Sequence, residues 1–241
     1  MSPEPLHTPF DGCGFSLPHY RDVLVRARLM GYAIRPMRDW AAGLATEPRS
    51  ILLRHDIDVS LESIAPIDAI ENELGIHATY YVRTRARFYD VGGDTGATAM
   101  AALRAHGHEV GLHYEPDPDG QSEVAWDDAS KVALAADKAR LIGVAGEPME
   151  GAAAHRPAKA GALTPEQVRS VGFAYEATGP TLEAASPRWK YLADSRGQWR
   201  EGCICGWLGN VDRLIMVVHP IWWTGGQADR ANILERLGRG D

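Results

Sequence analysis

Short apolar runs alternate with amphipathic stretches along most of this 241-residue chain, and that alternation restricts the folds open to it. The apolar runs that predict strands lie at residues 32–35, 51–53, 78–82, 108–112, 151–155 and 214–218. The stretches that predict helices lie at residues 16–30, 64–74, 98–106, 122–142 and 229–237, with a further helix starting at the capping-box sequence of residues 164–167. Strands that alternate with helices predict a parallel sheet covered by helices, in a closed or distorted (β/α) barrel.

Length and composition fit one globular domain. A chain of 241 residues is long for a single domain but ordinary for a barrel built around one core. We expect one domain over residues 1–241, with residues 1–50 packed on the barrel as an extension. No apolar run reaches the roughly eighteen residues of a membrane span. The N-terminus lacks the basic start and apolar stretch of a secretory signal, so a cytoplasmic location is expected.

The charge and the cysteines argue against two further classes of protein. The formal net charge is −7 without a basic stripe, so nucleic acid is not an expected partner. Cys13, Cys203 and Cys205 are too few for a disulfide framework, and a lone Cys-Ile-Cys is not a zinc-ribbon spacing. We therefore predict three reduced thiols. A homodimer stays open as an alternative to a monomer.

Polar side chains of kinds that can do chemistry follow four of the predicted strands. In a parallel barrel the reacting groups lie at the carboxyl ends of the strands. The polar segments found there are residues 54–58, 113–115, 155–157 and 219–220. Their convergence predicts a functional site at that end of the barrel.

Asp56 and Asp58 are two residues apart, so on a strand both carboxylates project to one side. His55 and Ile57 then project to the other side. One carboxylate could hold a cation while the other accepts a proton. The alternative is a solvated turn or a helix cap, although the adjoining strand favours a site.

Two histidines at strand ends supply matching chemistry. Alternation along residues 107–113 places His113 on one face of its strand, where a neutral imidazole could bind a metal; the alternative is a structural histidine. His219 follows a run that is apolar on both faces, and it could protonate a leaving amine near neutral pH. The alternative for His219 is a ring packed beneath Trp222 and Trp223.

Taken in order, these motifs resemble those of the polysaccharide deacetylases, and most closely a branch associated with bacterial surface-polysaccharide biosynthesis. The motifs lie at residues 53–58, 107–113, 155–157 and 218–220, so the resemblance covers roughly residues 50–220. It implies a distorted (β/α) barrel, usually with seven strands. It also implies the site roles: Asp56 as general base, Asp58 and His113 as metal ligands, Arg156 as the arginine that orients the base, and His219 as general acid.

The third metal ligand departs from the family pattern. The family's second metal histidine lies four residues after the first, where this chain has Asp117. Asp117, Glu115 and His155 are therefore the alternatives for the third ligand. The resemblance implies one divalent ion, zinc in the first place, with manganese, cobalt and ferrous iron as alternatives.

The expected reaction is removal of an N-acetyl group from an amino sugar in a surface-polysaccharide precursor. Aromatic faces can stack on a sugar, and an arginine could reach the phosphate of a lipid-linked or nucleotide-linked carrier. The residues expected near the substrate are Tyr114, Glu115, Arg83, Trp199, Trp222 and Trp223. Asp194 and Trp199 match a further aspartate and tryptophan motif loosely. A non-catalytic carbohydrate-binding or assembly protein, and a hydrolase of another linear amide, remain alternatives on the same fold.

Overall fold

The computed structural model describes residues 13–115, 126–157, 161–178, 189–225 and 231–235. The strands of this part of the chain are β1 (Ala33–Arg35), β2 (Ser50–Ile57), β3 (Thr79–Val82), β4 (Glu109–Tyr114), β5 (Gly151–Ala154), β6 (Tyr175–Glu176), β7 (Lys190–Ala193) and β8 (Arg213–Val218). Its helices are α1 (Leu17–Leu29), α2 (Met37–Ala41), α3 (Ile64–Glu73), α4 (Asp94–Ala105), α5 (Asp128–Ala145), α6 (Pro165–Ser170) and α7 (Pro220–Thr224). Two 3-10 turns, Ser195–Gly197 and Ile204–Gly206, lie between β7 and β8.

The strands form one parallel sheet in the order β6-β5-β4-β3-β2-β8-β7. β1 pairs with the first residues of β2 beside this path. The seven strands of the path curl into a half-barrel, with helices packed on its outer face. The predicted α/β class and distorted barrel are therefore confirmed.

Successive residues of each strand alternate between two packed faces of the sheet. On β2, Leu52 belongs to an inner cluster that includes Val217 of β8. Leu53 belongs instead to the cluster that the helices cover. Because the side-chain period of a strand is two, Arg54 and Asp56 share the inner face with Leu52. The register of β2 thus determines which polar groups enter the barrel.

Gly111 of β4 lets an aromatic ring fill the inside of the barrel. A Cβ at this position would lie 2.4 Å from Cε1 of Tyr81. The Tyr81 hydroxyl donates to the Tyr175 hydroxyl at 3.1 Å, and Tyr175 donates to Glu109 Oε1 at 2.5 Å. Burial raises the pKa of Glu109. Glu109 and Tyr175 are the first residues of β4 and β6, so the bond between them lies at the amino-terminal end of these strands.

Capping residues account for helix starts that the sequence predicts. The Ser16 side chain accepts the His19 N–H at 3.4 Å at the start of α1. Thr164 and Gln167 form the predicted capping box of α6. The helix predicted from residue 122 begins instead at Asp128, because Asp127 caps it by accepting the Ser130 N–H at 2.8 Å.

The sequence prediction was incomplete where elements begin with turn-like residues or are very short. α4 begins at Asp94 rather than at residue 98, since Asp94-Thr95-Gly96 has the composition of a turn. Gly96 is required there because a Cβ would lie 1.9 Å from the Val91 carbonyl oxygen. β6, which has only two residues, and β7, at the opposite edge of the sheet, were not predicted.

The amino-terminal part of the chain packs on the barrel, since α1 lies against α3 and α7. Of the predicted closing helix over residues 229–237, residues 231–235 are helical and the others lie outside the described residues. None of the described helices has both the length and the apolar character needed to cross a membrane.

Candidate active site

The carboxyl ends of four strands bring together the polar groups that the sequence singled out. Asp56 is the penultimate residue of β2, and Asp58 directly follows that strand. The three histidines come from β4 or from the residue that follows β5 or β8: His113, His155 and His219. All three have side chains within 4 Å of the Asp58 carboxylate.

Asp56 is held by Arg54, which lies two residues earlier on the same face of β2. Arg54 donates from Nε to Asp56 Oδ1 at 2.7 Å and from Nη2 to Oδ2 at 2.8 Å. Both side chains are buried. Burial raises the pKa of Asp56, but Arg54, His113 and His219 outweigh burial and lower that pKa below its ordinary value. Asp56 is therefore ionised and oriented by a bidentate pair.

The Asp58 carboxylate faces two imidazole nitrogens. Its Oδ1 lies 3.2 Å from His113 Nε2 and 3.8 Å from His155 Nε2. This oxygen is buried, and no donor of the described residues meets it in hydrogen-bond geometry. Burial raises the pKa of Asp58, but His155, His113 and His219 hold it well below its ordinary value. A buried anionic oxygen opposite two imidazole nitrogens has the donor chemistry of a divalent-metal site.

The other ring nitrogen of each imidazole fixes its orientation. His113 Nδ1 lies 3.0 Å from the Ala153 carbonyl oxygen, and His155 Nδ1 lies 2.9 Å from Glu115 Oε2. Since these oxygens accept, Nδ1 is the donor in both rings, and Nε2 of each ring faces Asp58. Contacts of this kind commonly orient metal-binding histidines.

Glu115 and Arg83 lie behind the imidazoles. Arg83 donates from Nε to Glu115 Oε1 at 2.6 Å and from Nη1 to the Asp58 carbonyl oxygen at 3.2 Å. With one Glu115 oxygen on Arg83 and the other on His155, the geometry favours His155 over Glu115 as the third ligand. Arg83 is 4% exposed, which leaves little of it for the predicted substrate contact. Asp117, the remaining alternative, lies outside the described residues.

Asp194 holds His219 in place. His219 Nδ1 lies 2.6 Å from Asp194 Oδ1, and the His219 N–H donates to the same oxygen at 2.9 Å. Trp223 Nε1 donates to Asp194 Oδ2 at 2.7 Å. Burial lowers the pKa of His219, but Asp194, with Asp58 and Asp56, raises it to about 9. His219 is therefore a protonated group whose Nε2 lies 3.6 Å from Asp58 Oδ2.

Tyr114 packs on the outer face of the sheet, although the sequence analysis expected it near the substrate. It follows His113 directly, so its side chain projects to the opposite side of β4. Its hydroxyl donates to Glu176 Oε1 at 3.2 Å and accepts the Leu163 N–H at 2.8 Å. With 2% of its surface exposed, Tyr114 offers almost nothing for a sugar to contact.

The tryptophans expected at the mouth are largely packed. Trp222 and Trp223 are 5% and 2% exposed and belong to the outer core cluster. Trp199 is half-buried and lies against Phe15, with ring centroids 6.2 Å apart. Of the predicted aromatic contacts, Trp199 alone offers substantial exposed surface.

Arg54 and Asp194 are the functional residues that the sequence analysis missed or matched only loosely. The two-residue spacing between Arg54 and Asp56 was a usable signal, because it places both on one face of β2. Arg156, predicted to orient Asp56, has a left-handed backbone with φ 52°. The bidentate pair assigns that orienting contact to Arg54, and a role for Arg156 stays a prediction.

A second group of metal-binding residue types, Asp68, His106 and His108, lies at the amino-terminal end of β4. Asp68 Oδ1 lies 2.8 Å from His106 Nδ1 and 3.1 Å from His108 Nε2. His108 Nδ1 accepts the Ala78 N–H at 3.1 Å, so the ring proton sits on Nε2 and faces Asp68. We interpret this group as structural.

Comparison with solved structures identifies the fold. The structure resembles the chitin deacetylase of the fungal pathogen Colletotrichum lindemuthianum, with 15% identity, a TM-score of 0.51, and coverage of 80% of this chain and 83% of that one. It resembles the peptidoglycan deacetylase PdaC of Bacillus subtilis equally, with 15% identity, a TM-score of 0.51, and coverage of 79% and 84%.

A third similar structure is a mutant, with restored enzymatic activity, of a CE4 family pseudoenzyme of Bacillus anthracis. Its identity is 12% and its TM-score 0.50, with coverage of 81% of this chain and 67% of that one. No protein-family model matches the sequence, and no curated protein matches it. The chain thus has the fold of the polysaccharide deacetylases, which confirms the resemblance drawn from its motifs at the level of fold.

Proposed function

We propose that this protein is a metal-dependent hydrolase that removes the N-acetyl group from an amino sugar. The observation that carries the proposal is the convergence of Asp58 with His113 and His155, beside an ionised Asp56 and a protonated His219. A fold shared with chitin and peptidoglycan deacetylases supports the same assignment.

The donor set fits a divalent cation. Asp58 Oδ1 is buried without a hydrogen bond from the described residues, and the His113 and His155 Nε2 atoms face it. One carboxylate and two imidazoles suit zinc, and the same set also suits ferrous iron, manganese or cobalt. A cation on these ligands would polarise the attacking water and stabilise negative charge on the acyl oxygen.

The side chains around this donor set supply the proton transfers. Asp56, ionised and fixed by Arg54, accepts the proton of the water that attacks the acetamido carbonyl carbon. His219, protonated and fixed by Asp194, donates a proton to the amine nitrogen as the C–N bond breaks. The products are acetate and the amino sugar.

We further propose that the substrate is a surface-polysaccharide precursor in the cytoplasm, on a lipid or nucleotide carrier. Arg83 is too buried to bind the carrier phosphate in this conformation. Of the aromatic residues expected to contact the sugar, half-buried Trp199 is the most exposed.

The deciding test is Asp56→Asn, with acetate release and bound metal measured on the same protein. We expect turnover to fall by a factor of about 1,000 or more while metal content stays near that of the wild type, because Asp56 acts as a base and not as a ligand. His113→Ala is the matched variant, for which metal and turnover should be lost together.

The substrate panel should contain N-acetylated oligosaccharides, nucleotide-linked N-acetyl sugars and linear amides. Loss of the bound metal in Asp56→Asn would show that Asp56 is a metal ligand and not only a base. Absence of acetate release from every sugar by the metal-loaded wild type would favour a non-catalytic carbohydrate-binding protein or a hydrolase of another amide.

A further inference from the structure

Four metal-binding side chains meet outside the candidate active site. Cys13 lies just before α1, His19 is in its first turn, and Cys203 and Cys205 flank Ile204 in the segment between β7 and β8. Their donor atoms all lie within 4.8 Å of one another. The cysteines form no disulfide in this structure. Two segments far apart in sequence therefore deliver three sulfurs and one imidazole nitrogen to one point.

The spacing of the donor atoms approaches that of a tetrahedral zinc site. With zinc bond lengths of about 2.3 Å to sulfur and about 2.0 Å to nitrogen, two sulfurs lie about 3.8 Å apart, and a sulfur and a nitrogen about 3.5 Å. Here Cys13 Sγ lies 3.2 Å from Cys205 Sγ, and His19 Nε2 lies 3.2 Å from Cys203 Sγ. Small outward movements of the side chains would accommodate the ion.

Local structure explains why both cysteines of the Cys-Ile-Cys sequence reach the cluster. Cys203 directly precedes a 3-10 turn, and Cys205 lies within it. Ile204, between the two cysteines, is completely buried in the outer core. Cys203 and Cys205 are themselves 7% and 4% exposed. The turn separates the apolar side chain from the two thiols, which a sequence count of cysteines could not reveal.

Weak thiol hydrogen bonds are a poor alternative account of the cluster. A thiol is a weak donor and a weak acceptor, so three thiols around one imidazole gain little from one another. A divalent cation would replace these weak contacts with metal–sulfur bonds. A thiolate is the form of cysteine that binds metal.

We propose that Cys13, His19, Cys203 and Cys205 bind a zinc ion in a structural site of the Cys3His type. Four protein donors complete a tetrahedron and leave no position for water or substrate, so the site serves folding rather than catalysis. It fastens the amino-terminal segment and α1 to the segment between β7 and β8. The sequence analysis predicted no zinc site at the cysteines, because it judged the Cys-Ile-Cys spacing alone and did not connect it with His19.

The zinc site would also support the catalytic acid from a distance. The His19 ring stacks on the Trp223 ring, with centroids 6.0 Å apart and planes 16° from parallel. Trp223 donates to Asp194, and Asp194 holds His219. A chain of contacts through Trp223 and Asp194 thus links His19 to His219.

Cobalt substitution of the full-length protein tests the proposal independently of the proposed function. The Asp58, His113 and His155 site has no sulfur donor, so a sulfur-to-cobalt charge-transfer band in the near ultraviolet reports on the cysteine cluster alone. We expect the band in the wild type and in His113→Ala. We expect it to be lost in Cys203→Ser and Cys205→Ser, and shifted or weakened in His19→Ala.

His106→Ala is the matched control for His19→Ala, because it removes an imidazole from the Asp68 group and should leave the band unchanged. If the cysteine variants do not fold, X-ray absorption at the zinc edge of His113→Ala gives the answer, because this variant keeps the cysteine cluster and should lack zinc at the candidate active site. A shell of three sulfurs and one nitrogen is expected there. A wild type that gives no charge-transfer band with cobalt, or that contains a Cys13–Cys205 disulfide when purified under reducing conditions, would overturn the proposal.

Discussion

Asp194 sets the protonation of His219, because it contacts both the ring and the backbone N–H of that residue. In the metal-free protein the His219 pKa is raised to about 9, so the imidazole stays protonated through neutral pH. Asp194→Asn removes the charge that raises this pKa most. We expect the His219 titration midpoint of the metal-free variant, followed by NMR, to fall by about one unit or more.

Asp212→Asn is the control for this titration. Asp212 pairs with Arg49 at the surface, and its side chain is 67% exposed. Its removal should leave the His219 midpoint where it is in the wild type. An unchanged midpoint in Asp194→Asn would mean that the neighbouring carboxylates Asp56 and Asp58 dominate.

Prediction from sequence worked best where the alternation of side chains along a strand determines which face a residue occupies. The placement of Asp56 and Asp58 on one side of a strand follows from a period of two, and the structure has it. Tyr114 was expected near the substrate as an aromatic residue at the end of a strand, but the same period of two sends it to the other face. Neither rule could specify the bond between Asp194 and His219, which joins the ends of two paired strands, β7 and β8.

Strand β4 accommodates no side chain at Gly111. We expect Gly111→Ala to lower the free energy of unfolding by about 1–3 kcal/mol, because the new Cβ overlaps the Tyr81 ring, which is itself completely buried. The measurement is equilibrium unfolding in urea.

Gly143→Ala in α5 is the matched substitution. A Cβ there would meet nothing within 4 Å, and alanine favours a helix interior over glycine by about 0.5–1 kcal/mol. The two variants should therefore move stability in opposite directions. Equal stability of Gly111→Ala and wild type would mean that Tyr81 can move without cost.

Some strands can be predicted from the local sequence and others cannot. Long apolar runs such as β8 bury both faces and are recognised from composition alone. β6 consists of only Tyr175 and Glu176, and its place at the sheet edge depends on pairing with β5. A contact between distant segments selects such an element, so no local window of sequence contains the signal.

A buried polar cluster centred on Glu71 joins four elements of the fold. Glu71 of α3 accepts hydrogen bonds from Tyr80 of β3 at 2.7 Å and from Tyr20 of α1, and lies 2.7 Å from His55 Nε2 of β2. Burial raises the pKa of Glu71, but His55 and the other partners lower it below its ordinary value of 4.5. Its charged form therefore stabilises the folded state above about pH 4.5, and this contribution is lost as the pH falls through the folded pKa.

We expect Glu71→Gln to lower the free energy of unfolding at neutral pH by about 1–3 kcal/mol. Below pH 4.5 the difference from the wild type should shrink, because the wild type loses the charge as well. Urea unfolding at several pH values measures both effects. Glu73→Gln, on the same helix but exposed, should have a stability close to that of the wild type at every pH. If Glu71→Gln is destabilised equally at every pH, then hydrogen-bond geometry and not charge is responsible.

Strand β2 carries both polar clusters, one on each face. Its inner face presents Arg54 and Asp56 to the site, and its outer face presents His55 to Glu71. A one-residue slip would exchange the two sets, sending Asp56 under the helices and His55 into the site. Over evolutionary time this strand can therefore tolerate substitutions but not insertions or deletions. The spacing of its polar residues should change less than the identity of the residues beside them.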